Sequence, residues 1–359
     1  MVEGDNAATA RPRGAPPPGQ RTLVESPTAL AIAAERLAGA DTIGVDLETG
    51  TPPREGRHRF ALLQLAVAGQ AWAIDPLRLP DLSALAPVFA NPNVIKAFVA
   101  VGGDAPFLEA AGLPLRGVCD VAEVGRSAFG RRGEGLQSLV ERAFGVVMDK
   151  SLQRSDWLRR PLTTPLLAYA YRDAELTLAL YRWFRDGEPV LTRLHTTLLA
   201  RPELPTDLPD WLRAVLEGRR GGDRRLPADK IVEEMGRDPV ADAATFLAGC
   251  QDALTTITDV RSRVRLLDAI GELDLFELAP ALVAELRTPS ASLRFSAARA
   301  LGRLADPETI EALTAARRDD AVQDVREAAD RALRAIAEQE QERQTQEEAP
   351  GDDGGGAAE

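Results

Sequence analysis

Three stretches of the C-terminal half can be laid over one another: RVRLLDAIGELD (263–274), LRFSAARALGRLAD (293–306) and VREAADRALRAIAE (325–338). Arg263, Arg294 and Arg326 recur at steps of 31 and 32, and Ile270, Leu301 and Leu333 keep the same steps. So do Leu273, Leu304 and Ile336. A repeat of that length holds a pair of helices, and each pair buries its apolar face only against the next copy. Asp306-Pro307 opens the second helix of the middle copy. About two and a half copies are visible, and residues 238–256 read as a degenerate earlier one. This confines residues 239–337 to an all-α solenoid, with a generic helical bundle as the alternative. The repeated arginines either form a basic row or pair with neighbouring acids such as Asp268 and Asp330. Pairing is the preferred reading.

The N-terminal half follows another period. Ser26-Pro27 opens a helix, because serine caps well and proline suits the first turn. Leu30, Ala33, Ala34 and Leu37 give it an apolar stripe, and Gly39 ends it. Short apolar runs follow at 42–47, 59–67, 70–75 and 94–100, bounded by Gly, Pro and Asp, and these read as strands. Helices fit 82–90, the stretch after Pro106, 120–128, 135–144 and 162–187. Such an order predicts an α/β domain with a mixed sheet over residues 21–187. Residues 1–20, rich in Pro, Gly and Ala, read as a disordered leader. Residues 188–238 read as a linker with some helix, containing Arg219, Arg220, Arg224, Arg225 and Lys230. That cluster fits a solvated linker better than a nucleic-acid track.

Composition narrows the chemistry. Two histidines and two cysteines among 359 residues make a Ser-His-Asp triad, a disulfide framework or a zinc knuckle poor candidates. Reduced, buried Cys119 and Cys250 point to the cytoplasm. No apolar run suits a signal peptide or a membrane span. The net charge of −12 is concentrated at the end. From 338 to 359 eight acids stand against Arg343, which leaves −7 in an expected disordered acidic tail. A hydrolase in this chain therefore has to rely on carboxylates, which work best by holding hard cations.

Five residues fit that requirement. In TIGVDLET, strand alternation puts Asp46 and Glu48 on one face, about 7 Å apart. In YAYRD, Tyr169 and Asp173 sit one helical turn apart on a shared face. Asp104, in VGGDAPF, precedes a helix that it is also suited to cap. In-line attack on phosphorus needs two cations about 3.5–4 Å apart, and several converging acids to hold them. A tyrosine hydroxyl can orient the attacking water.

This set in this order resembles the DEDDy class of 3′→5′ exonucleases. The stretch LQRSDWLRRPLTTPLLAYAYRDAELT (152–177), with FALLQLA (60–66), is similar to ribonuclease D proteins over residues 22–187. The resemblance implies a ribonuclease H-like mixed-sheet domain and a metal-dependent exonuclease that releases 5′-monophosphates from RNA 3′ ends. It implies two Mg²⁺ or Mn²⁺ ions. Asp46 would bridge them, Glu48 and Asp173 would hold the ion that activates water, Asp104 would support the second ion, and Tyr169 would place the nucleophile. Arg154 and Arg160 are candidate phosphate contacts and Gln64 a candidate substrate contact. An Arg154–Asp156 ion pair is the structural alternative, and Trp157 reads as core. The sequence departs from the family in AFVAVGGD, where Val99 and Val101 replace residues that are commonly polar. A catalytically weak binding module, or the same chemistry on single-stranded DNA, are the rival readings. The repeats resemble short HEAT repeats, which implies a surface for a protein partner.

Overall fold

The computed structural model describes residues 14–52, 56–130, 135–199, 204–217 and 243–348. The chain divides into two compact units, 1–203 and 204–359. The basic cluster 219–230 and residues 1–13 and 349–359 lie outside the described residues.

The first unit is a seven-stranded mixed sheet flanked by helices. Its strands are β1 (Gln20–Val24), β2 (Thr42–Gly50), β3 (Arg59–Val67), β4 (Gln70–Ile74), β5 (Ile95–Phe98), β6 (Arg116–Asp120) and β7 (Thr196–Leu199). Their spatial order is β1-β4-β3-β2-β5-β6-β7. β2, β3 and β4 form an antiparallel meander. β5 joins β2 in parallel and β6 joins β5 in parallel, while β1 runs parallel to β4.

Apolar side chains bury both faces. Ile43, Val45, Leu47, Leu63 and Leu65 pack with Leu30, Ala33 and Leu37 of α1 (Pro27–Ala38). On the opposite face Ala61, Leu62, Ala66 and Ala73 pack with Ala170, Ala174 and Leu178 of α6 (Thr164–Gly187). Between them in sequence lie α2 (Ala86–Ala90), α3 (Ala105–Ala110), α4 (Val121–Phe129) and α5 (Leu136–Phe144). Thr163 caps α6 by accepting from the Leu166 amide, and Pro165 fits the first turn.

Three strands escape sequence reading. β1 is a half-exposed QRTLV, β6 is a short RGVCD, and β7 lies beyond the boundary expected at 187. Helix α7 (Pro189–Leu194) and β7 complete this unit, so residues 188–199 belong to the sheet domain and not to a linker. Residues 14–20 are also placed. The Gly19 amide donates to Glu175, and the Pro16 carbonyl accepts from Arg172.

In the second unit, helix Asp210–Glu217 and helix Ala243–Thr256 meet through Trp211, which packs edge-on to Phe246 at 4.7 Å. Helices Val260–Glu272, Ala291–Leu304 and Gln323–Glu348 then stack, alternating with the short helices Ala279–Glu285 and Ile310–Asp319. The stacking is close. A Cβ on Gly271 would lie 2.8 Å from Ala300 Cα, and one on Gly302 would lie 2.8 Å from Ala332 Cα. The last helix runs to Glu348, past residue 338, where a disordered tail was expected.

Two of the three repeated arginines pair with acids, though with other partners than expected, and Arg326 bonds only the Asp320 carbonyl among the described residues. Arg263 binds Glu285, and Arg294 binds Asp320 through both carboxylate oxygens. Asp268 pairs with Arg299, and Asp330 with Arg317 and Arg334. No helix among the described residues is long and apolar enough to cross a membrane.

Candidate active site

Asp46 and Glu48 lie on the face of β2 that carries α6, as alternation requires. Gly44 precedes them on that face. A Cβ there would sit 2.3 Å from the Ala174 carbonyl oxygen and 2.8 Å from Leu178 Cβ. The missing side chain lets α6 lie directly on the strand. Asp173, next to Ala174, is thereby brought to the two strand acids. One oxygen from each of Asp46, Glu48 and Asp173 can be chosen so that all lie within 4.8 Å of one another. One turn earlier, Tyr169 is half-buried, and its hydroxyl bonds the Asp173 carboxylate. The Tyr169 ring packs against Trp157 at 6.0 Å.

Asp104 stands at the start of α3, but its side chain makes no capping hydrogen bond. It lies outside the trio yet close enough for its charge to act on Asp46 and Glu48. Asp120, not singled out from sequence, holds the turn that carries it. The Asp120 carboxylate accepts from the amides of Ala100 at 2.9 Å and Val101 at 3.2 Å. Ala100 has φ 65°, a left-handed conformation that a non-glycine residue adopts at a cost. The Val101 carbonyl then accepts from the Asp104 and Ala105 amides. Val101 is buried, so its apolar character anchors the turn.

The acids crowd one another. Burial, then the charges of Asp173, Glu48 and Asp104, hold Asp46 well above the usual carboxylate range. Glu48 is pushed up to about 8 by burial, then by Asp173 and Asp104. Asp104 rises to about 7 through burial and the neighbouring Asp120. Asp173 rises to about 6 through burial, offset by the Tyr169 hydrogen bond and the charge of Lys150. Tyr169 itself is raised, by burial first and then by Asp173.

The segment before α6 frames the site. Leu158 packs on Gly50 at the end of β2, and Trp157 is buried core. Arg160 is not placed to meet a substrate. Nε and Nη2 bind the buried Asp75 carboxylate at 2.5 and 2.9 Å. The remaining N–H groups go to the carbonyls of Ala61, Trp157 and Arg159. All five donors of the guanidinium are thus used within the protein. Arg154 is exposed, and Asp156 instead accepts from the Leu158 amide. Gln64 lies directly across β3 from Asp46, fully buried, with neither amide atom hydrogen-bonded. One Asp173 oxygen is likewise buried without a partner.

Residues 22–186 match the family model described as 3′-5′ exonuclease, and residues 251–334 match HEAT repeats. Residues 22–186 are thus similar to ribonuclease D-type 3′–5′ exonuclease domains, and residues 251–334 to HEAT repeats. Ribonuclease D of Shewanella sp. (strain ANA-3) is 37% identical over 122 residues, which cover 34% of this chain and 31% of the relative. Ribonuclease D of Acidiphilium cryptum is 31% identical over 214 residues, covering 56% and 53%. The exosome complex exonuclease RRP6 of Saccharomyces cerevisiae is 30% identical over 165 residues, covering 45% and 22%. The chain thus spans 22% to 53% of the length of these three relatives. Among solved structures, Escherichia coli RNase D aligns over 89% of this chain and 74% of that one, at 19% identity and TM-score 0.43. The Aedes aegypti Nibbler EXO domain aligns over 48% and 90%, at 24% identity and TM-score 0.43.

The exonuclease family is divalent-metal dependent, and the residues here suit such ions. Asp46, Glu48 and Asp173 converge with Asp104 nearby, and among the described residues only the charge of Lys150, acting on Asp173, offsets their repulsion. The unbonded Asp173 oxygen adds a donor that protein contacts leave unused. Hard oxygen donors of this number and charge fit magnesium-like or manganese-like cations.

Proposed function

We propose that this chain is a metal-dependent 3′–5′ exonuclease that shortens single-stranded RNA from its 3′ end and releases nucleoside 5′-monophosphates. The observation that carries the reading is the convergence of Asp46, Glu48 and Asp173 beneath the Tyr169 hydroxyl. Asp46 would bridge two divalent ions, Glu48 and Asp173 would complete one site, and Asp104, set back from the trio, would support the other. Ions held there supply positive charge for the phosphate oxygens and make water a better nucleophile near neutral pH. Tyr169 keeps its proton, because burial and the surrounding acids oppose a phenolate. It therefore acts as a donor that fixes orientation and not as a base. Trp157 and the Asp173 hydrogen bond hold the ring in place for that task. The helical repeats we assign to a protein partner.

A degenerate, purely binding role gains no support from the turn at Asp104. Asp120 builds that turn with two hydrogen bonds, although the polar neighbours common in the family are replaced by Val99 and Val101. The test is a 5′-labelled single-stranded RNA incubated with protein and Mg²⁺ or Mn²⁺. We expect stepwise shortening from the 3′ end, abolished by Asp46→Ala and by Asp173→Ala. Cleavage that survives both substitutions sinks the assignment. A matched DNA strand degraded faster than RNA would change the substrate but keep the chemistry.

A further inference from the structure

We propose that the C-terminal end of the helical repeats is a docking site for an acidic peptide segment of another protein, with Arg326 as the anchor that receives a carboxylate.

The repeats themselves define the slot. Each repeated arginine sends Nη1 to the carbonyl six residues before it: Arg263 to Ile257 at 2.8 Å, Arg294 to Thr288 at 2.9 Å and Arg326 to Asp320 at 2.6 Å. This bond orients the guanidinium and satisfies a carbonyl that the preceding helix leaves open. The other edge of the guanidinium, Nε and Nη2, then faces the following short helix. Arg263 takes Glu285 on that edge, and Arg294 takes Asp320 in a fork of 2.7 and 3.0 Å. The third arginine is oriented alike, but among the described residues nothing bonds its Nε or Nη2. Arg326 is half-buried, so its stem is already ordered.

Among the described residues no acid fills the slot. In the first two copies the long helix stops and a short helix returns with the acid, 22 and 26 residues after the arginine. The third long helix does not turn back; it continues to Glu348. Glu348 is 22 residues beyond Arg326, or about 33 Å along the axis.

The surroundings select a peptide carboxylate over a phosphate backbone. Arg317, Arg331 and Arg334 line the same groove with Arg326, against Glu327 and Asp330. Four positive and two negative charges leave +2, enough to attract an acidic side chain. The two acids would repel a continuous run of phosphates. The Nε–Nη2 edge also meets a carboxylate in both occupied copies, one oxygen of Glu285 and both oxygens of Asp320.

The test uses the full chain and a fluorescein-labelled decapeptide of alternating Asp and Gly, with an Asn-Gly decapeptide as control, read by fluorescence anisotropy. We expect the acidic peptide to bind and the amide peptide not to bind. Arg326→Gln should weaken binding roughly tenfold, the scale of one charge-assisted hydrogen-bonded pair. Arg326→Lys should restore little, because lysine lacks the fork. Should Arg326→Gln melt the repeats, the exposed Arg334→Gln must still weaken binding with the fold intact by circular dichroism. Equal affinity of the acidic and amide peptides, or of wild type and both variants, overturns the proposal. So does a labelled oligouridylate that binds the groove in place of the peptide and is lost with Arg326→Gln. Self-association of the full chain that disappears in Arg326→Gln would make the occupant a second copy and also overturn it.

Discussion

Replacing Asp173 by asparagine should make the metal-free protein more stable while it removes activity. Asp173 is 6% exposed, and its carboxyl is displaced from 3.8 to about 6 by burial. Two pH units correspond to about 3 kcal/mol of preference for the protonated form. The folded state therefore binds this proton more tightly than the unfolded chain does. The stability this confers is fully present below pH 4 and is lost as pH rises through about 6. Asparagine mimics the uncharged form and keeps an oxygen for the Tyr169 hydroxyl. It also relieves Asp46 and Glu48, both of which feel the Asp173 charge. Imperfect accommodation of the amide returns part of the gain, so the net expectation is about 1–3 kcal/mol at pH 8. For a unit of this size that is roughly 3–10 °C in Tm. Thermal or urea unfolding in EDTA at pH 4.5, 6 and 8 checks it. The gap between variant and wild type should open between pH 4.5 and 6 and then hold. Added Mg²⁺ should stabilise the wild type and not the variant. A variant no more stable than wild type at pH 8, or a gap that ignores pH, would refute the reasoning from crowded charges.

Other substitutions probe the frame. Gly44→Ala should lower stability by about 1–3 kcal/mol through overpacking and reduce activity by displacing Asp173, seen as a lower Tm together with a lower kcat. Arg160→Ala should cost about 3–5 kcal/mol, since it strands the fully buried Asp75, and denaturant unfolding should register that loss. Arg160→Lys should recover only part of it, because three carbonyls and a forked carboxylate cannot be served by one ammonium. Tyr169→Phe should reduce kcat by about 10–100-fold, a larger loss than that in metal affinity measured by titration calorimetry, as befits a hydroxyl that orients water and also bonds Asp173.

The parts of the fold that repeat or alternate were legible in the sequence. The 31-residue period located the stacked helices, and the runs at 42–47, 59–67 and 70–75 located the central meander. Strands β1, β6 and β7 were not: β1 is a half-exposed edge and β6 and β7 are short, so tertiary pairing and not pattern makes them strands. In the site, Asp46 and Glu48 could be placed on one face from alternation, and Tyr169 with Asp173 from helical spacing. What joins the two pairs was hidden. Gly44 acts by lacking a side chain, and Asp120 acts from another strand through bonds to backbone amides. Neither has a local pattern that distinguishes it from an ordinary glycine or helix cap. Arg160 misled for the related reason that its partner, Asp75, lies 85 residues away.

The tight glycine–alanine contacts between successive long helices also bear on how such an array can grow. Gly271 and Gly302 admit the next helix at van der Waals distance, and the corresponding place in the third helix is held by Arg334. An arginine there has to swing aside before a neighbour can approach at that spacing. A duplicated repeat at this end would meet Arg334 where the earlier copies offer glycine. A helix engineered to stack on this end with the same close contact would call for a glycine at position 334.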